Sequence, residues 1–122
     1  MRNPWKKLIS NMRINGRAWR ERKGRDMTKE IQVTPDDLQE IFLAQNSRCY
    51  WFDIPLDPFD IFTSYNPLAI SVDRLDAQFG YSKENIVICS RMANLGRGQC
   101  SADKFAEIVT EFRQRVINDL RG

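Results

Sequence analysis

The 122 residues carry 19 basic and 16 acidic side chains and no histidine, and 42% are hydrophobic. That length suits one hydrophobic core, and that composition excludes a disordered or low-complexity chain. No apolar run approaches the roughly 20 residues of a membrane span and no secretory pattern is visible, so no membrane partner and a cytoplasmic location are expected.

The net charge of +3 hides an asymmetry. Residues 1–29 hold ten basic side chains against Glu21 and Asp26, while the rest hold nine against fourteen acidic ones. The chain reads as a basic arm, 1–30, on a mildly acidic body, 31–122. An arm of this kind suits phosphate, because each neutralised phosphate releases counterions.

In the arm, Pro4 and Trp5 open a helix on which Trp5, Leu8, Ile9 and Met12 share a core-facing side, with Lys6, Lys7 and Arg13 off it. Gly16 weakens that helix. Beyond it Arg17, Arg20, Arg22, Lys23 and Arg25 cluster around Trp19 and form the expected DNA-backbone contact surface.

Thr34-Pro35-Asp36-Asp37 is a helix start: a capping hydroxyl, proline in the first turn and two carboxylates that favour the helix dipole. This helix is expected to reach about Gln45, with Leu38, Ile41, Phe42 and Ala44 buried against a hairpin of Tyr50-Trp51-Phe52 and Ile54-Pro55-Leu56. Residues 57–67 read as a loop anchored by Phe59, Ile61 and Phe62.

Ala69 to Asp73 alternates and is β-branched, which suits a strand ending at a carboxylate. Gly80-Tyr81-Ser82 is turn chemistry, and Asn85 to Cys89 is a second strand. From Ser90 the residues tolerate a helix, which Gly96 and Gly98 stop. Ser101 caps a last helix whose Phe105, Ile108, Val109, Phe112, Val116 and Leu120 recur at helical spacing, a stripe expected to lie along the core, with a dimer contact as the lesser reading.

Asp73 at the end of the first strand and Asn94 on the following helix both offer oxygen ligands. A hard cation accepts one or two such ligands and keeps its other positions for water and phosphate. Such a cation stabilises charge on a scissile phosphate. Taken as residues alone, Asp73-Arg74-Leu75-Asp76 serves equally as a turn with local ion pairs, and Asn94 as a helix-surface amide.

The spacing of Asp73-Arg74, Gly80-Tyr81, Asn85, Asn94 and Arg97 resembles the HNH or His-Me finger (ββα-metal) endonucleases, in particular the small phage-type and homing-type members. Upstream, Gln45-Asn46-Ser47-Arg48-Cys49-Tyr50 followed by Ile54-Pro55-Leu56 is similar to the hairpin that precedes the finger in that family. The resemblance implies an α+β fold: a ββα-metal core with a basic helical arm and flanking helices. It implies a metal-dependent endonuclease on double-stranded DNA, acting as monomer or homodimer in a bacterial or phage-infected cell. Asp73 and Asn94 would then hold Mg²⁺ or Mn²⁺, Arg74 and Arg97 would meet phosphate, and Asn85 would tie down the loop between the strands.

Two departures qualify it. Arg74 stands where the family usually has its general-base histidine, and arginine stays protonated at any working pH. A metal-bound hydroxide, Tyr50, Tyr65, Tyr81, Asp76 or Glu84 is left to take the proton. Many relatives also carry two C-x-x-C knuckles; here Phe52, Ser90 and Ala93 stand in three of those places, so no structural zinc is expected. The alternative function is a DNA-binding or assembly protein on a finger that has lost catalysis.

Overall fold

The computed structural model describes residues 2–23 and 31–121, with side chains described for 2–16 and 31–121. Along the chain run α1 (Pro4–Lys23), α2 (Pro35–Ala44), a short 3₁₀ helix (Pro58–Phe62), β1 (Ile70–Arg74), β2 (Ile86–Ser90), α3 (Arg91–Arg97) and α4 (Ala102–Leu120). The fold is α+β, with helices packed around a two-stranded antiparallel sheet.

The helix starts follow their capping chemistry. Asn3 Oδ1 accepts from the backbone N–H groups of Trp5 and Lys6. At α2, Thr34 Oγ1 accepts from Asp37 N while Asp37 Oδ2 accepts from Thr34 N, a reciprocal box that satisfies two donors. Ser90 and Ser101 cap α3 and α4 with a single bond each, their Oγ accepting from Ala93 N and Lys104 N. Gly98, at φ +52°, ends α3 in a backbone region that costs glycine nothing.

One face of α1 builds the core. Trp5, Leu8, Ile9 and Met12 are buried, and Trp5 meets Phe42 of α2 with ring centroids 5.3 Å apart. The first half of the arm is therefore a wall of the body. The helix also runs straight through Gly16, where weakening was expected, because packing outweighs the roughly 1 kcal/mol propensity cost of glycine. Arg25 and the side chains of Arg17, Trp19, Arg20, Arg22 and Lys23 lie outside the described residues.

β2 is buried along its whole length, and β1 pairs with it from Ile70↔Ser90 to Arg74↔Ile86. Ile88 and Leu38 are wholly buried; each contributes about 1.5–3 kcal/mol of hydrophobic stabilisation. Before β1, Cys49 N donates to Ile54 O at 2.8 Å and Arg48 bridges Pro55, which makes the short hairpin. Ala44 is exposed, and Phe59 is more than half exposed, so the anchor of the 57–67 segment is Ile61.

α4 departs most from expectation. Phe105 packs edge-on against Trp51 at 5.2 Å and Val109 is buried, but Ile108, Phe112, Val116 and Leu120 are exposed. Only the first half of the stripe meets the core.

Candidate nucleic-acid and metal site

The two strand edges are closed by side chains. In β2, the N–H and C=O of Ile88 point away from β1: Ile88 N donates to Gln45 Oε1 at 2.9 Å, and Ile88 O accepts from Gln45 Nε2 at 2.7 Å and from Tyr50 N at 3.0 Å. One primary amide thus imitates a strand residue and satisfies groups that an open edge would leave to another chain. Gln45 Nε2 also donates to Arg48 O, fixing the hairpin to the same spot.

Along β1 the same task falls to α3. Arg91 N donates to Ala69 O, Asn94 Nδ2 to Val72 O at 3.1 Å and to Ser71 Oγ at 2.7 Å, and Arg97 Nη1 to Arg74 O at 2.7 Å. Asn94 and Arg97 are one helical turn apart and serve carbonyls two strand residues apart. This repeat is what lays α3 along the rim of the sheet.

Asp73 stands at the centre. Its Oδ2 accepts from Trp51 Nε1 and from Arg97 Nη1, both at 2.8 Å. Arg97 further donates through Nε to Cys100 O and through Nη2 to Leu75 O, and its guanidinium lies 5.3 Å from the Trp51 ring. Four of its five N–H donors are taken up by protein acceptors, and the side chain is buried. The phosphate-facing position expected for Arg97 is an inward one here. Beside this pair, burial first and the Asp73 charge second push the Cys89 thiol far above the ordinary cysteine range, so it stays protonated.

Arg74 donates through Nη1 to Ala77 O and Phe79 O at 3.0 Å and lies over the Tyr81 ring at 5.1 Å. Asn85 ties the same loop: its Oδ1 accepts from Asp76 N, and its Nδ2 donates to Asp76 O and Gly80 O. Both residues shape the 75–85 connection.

Between α1, the 61–65 segment and the α3 rim of β1 opens a cleft of about 590 Å³, lined among others by Asn11, Tyr65, Ser71, Tyr81, Arg91 and Asn94. Of the five side chains named above as candidates to take a proton, Tyr65 and Tyr81 line this cleft; Tyr50, Asp76 and Glu84 do not. Asp73 is adjacent through its neighbour Val72 but is not part of the lining.

Every hydrogen bond to the Asp73 side chain among the described residues falls on Oδ2, and those of the Asn94 side chain are made by Nδ2, which leaves the Oδ1 of each as an acceptor whose orientation is fixed from behind. Two pre-oriented oxygens suit Mg²⁺, and partners that hold the other end of each ligand are usual in metal sites. Among the described residues no group of three or more His, Cys, Asp or Glu side chains converges to hold a metal.

The roles of Trp51 and Gln45 were missed in the sequence. Trp51 had a signal: a buried indole N–H requires an acceptor. No protein-family model matches this chain, and no curated protein or solved structure matches it. No helix of the described residues is long and apolar enough to cross a membrane.

Proposed function

We propose that the chain is a metal-dependent DNA endonuclease on a ββα-metal finger made of β1, β2 and α3. The observation that supports this reading is that Asp73 and Asn94 each keep Oδ1 as an acceptor while hydrogen bonds at the other terminal atom hold the side chain. A divalent cation bound by these oxygens would supply charge stabilisation at the scissile phosphate and the leaving oxygen. Trp51 and Arg97 orient Asp73, Ser71 orients Asn94, and Tyr65 and Tyr81 are the phenols that share a cleft with Asn94 and can take part in proton transfer. The exposed Lys6, Lys7 and Arg13 add a phosphate-binding surface on α1.

A second reading is favoured by a different observation. The guanidinium of Arg97, 2.8 Å from Asp73 Oδ2, already supplies a positive charge to the carboxylate. With Arg74 turned onto loop carbonyls and no histidine in the chain, this supports a finger that binds DNA without cutting it.

A plasmid-nicking assay in Mg²⁺, Mn²⁺ and EDTA separates the two, run with the native chain and with Asn94→Ala. Asn94 is the better probe because Asp73→Ala would strip a buried arginine of its partner. Cleavage that requires metal and Asn94 is the expected result. Salt-dependent DNA binding without cleavage on any substrate, and no metal-induced shift in melting temperature, would leave the second reading.

A further inference from the structure

We propose that the second half of α4 is the contact surface of a homodimer, in which two copies pair antiparallel about a two-fold axis at Val116. At about 100° per residue, Phe112, Val116 and Leu120 fall on one line that continues Phe105 and Val109. The first two residues of that line are buried in the core, and the remaining three are 66%, 41% and 82% exposed. A helix that carries its apolar face past the edge of its own domain has left that face for another surface.

The sequence of the segment identifies the partner as a second copy. From Glu111 to Arg121 it reads EFRQRVINDLR, and about Val116 its apolar line maps onto itself, with Phe112 opposite Leu120, while one flank of that line carries both a base, Arg115, and an acid, Asp119. A two-fold axis requires such self-complementarity, since each residue meets its counterpart's mirror position.

Charge fixes the direction. Arg115 and Asp119 flank the apolar line on one side, while Arg113 lies on the other and reaches Asp53 of its own chain at 3.8 Å. In an antiparallel pair like flanks meet, so Asp119 of each copy lies beside Arg115 of the other, twice, and these two pairs outnumber the single approach of Arg115 to its own counterpart across the axis. A parallel pair would set the Arg115 flank against the Arg113 flank and bring like charges together. The contact is short, so the dimer is a weak one that exchanges with monomer. It does not depend on the nuclease reading.

The test is sedimentation velocity on the full chain, freed of nucleic acid. The native protein is expected to show a concentration-dependent dimer, and Phe112→Glu, a substitution at an exposed site, to be monomeric with an unchanged circular dichroism spectrum. Arg115→Asp and Asp119→Arg are each expected to weaken association by about tenfold or more. Mixed together they should restore it, because in a dimer of one variant with the other both flanks again set a carboxylate against a guanidinium. A native chain that stays monomeric at every concentration, or a dimer indifferent to Phe112→Glu, overturns the proposal. A dimer that the mixture does not restore overturns the antiparallel register.

Discussion

Asp73 and Arg97, 24 residues apart, meet through Oδ2 and Nη1 at 2.8 Å with side chains that are 11% and 6% exposed. This pair joins the end of β1 to the end of α3, and Trp51 joins the hairpin to both. Removing one member leaves a buried charge, so Arg97→Met should cost about 3–5 kcal/mol in urea unfolding. Asp73→Leu combined with Arg97→Met should recover only part of that loss, because Trp51 Nε1 and the carbonyls of Arg74, Leu75 and Cys100 stay without their partners. If Arg97→Met unfolds at the native midpoint, the pair is not a structural clamp.

Gln45 gives a second stability prediction. Gln45→Ala leaves Ile88 N–H without its partner and Ile88 C=O with Tyr50 N alone, and should cost about 1–3 kcal/mol. Gln45→Glu is no remedy, because a carboxylate would then face the carbonyls of Ile88 and Arg48. Hydrogen exchange at the Ile88 amide should accelerate in Gln45→Ala, which has no oxygen to accept from it. An unchanged Ile88 exchange rate would mean that the hairpin, not the glutamine, protects this edge.

The basic residues of α1 should act on binding and not on folding. Lys6, Lys7 and Arg13 are exposed, so replacing each by Gln should leave unfolding unchanged while lowering the salt dependence of DNA affinity by about 0.9 in slope for each phosphate no longer neutralised. Trp5→Ala should behave in the opposite way, costing about 3–5 kcal/mol. Deleting the arm is thus no clean test of DNA binding. A salt slope that does not respond to the three substitutions would make this face of α1 an ordinary solvated surface.

The cap of α2 carries a pH signature. The Asp37 carboxyl is held below its ordinary value of 3.8, first by the backbone N–H of Thr34 and to a lesser degree by Lys83. A group lowered in the folded state contributes stability above its unfolded value, and that contribution is lost as pH falls through the folded one. Lys83, raised by Glu40 and then Asp37, contributes below 10.5 and loses its contribution as pH rises through its folded value. Carbon-13 titration of Lys83→Met should find Asp37 still depressed. Return of Asp37 to 3.8 in that variant would make the lysine the main cause.

Helix caps and strands were legible in the chain because their causes are local. Thr34, Ser101 and Gly98 act on groups within three or four residues, and the alternation of β1 and the continuous apolar run of β2 are direct consequences of burial on one or both faces. The direction of Arg97 was not legible. A charged residue in the last turn of a helix ordinarily faces water, and only the arrival of Asp73, Trp51 and the 74–75 carbonyls turns it inward. The extent of α4's burial was hidden for a related reason: periodicity reports an apolar face and is silent on how far a core extends beneath it. At the candidate site the residues themselves offered Asp73 and Asn94, the family resemblance implied the loop-tying Asn85, and tertiary contacts alone added the residues that hold them.

The match between α3 and β1 has a bearing on how this protein can vary in length. Asn94 and Arg97 meet alternate carbonyls of the strand, so one residue inserted between them would turn Arg97 by about 100° and carry it away from Asp73, Arg74 and Leu75 together. Gly98, ending the helix directly after Arg97, leaves no further turn in which a second arginine could take over. Insertions and deletions should therefore fall in connections that no such clamp measures. The ribbon and its helix are free to change in composition while their spacing stays fixed.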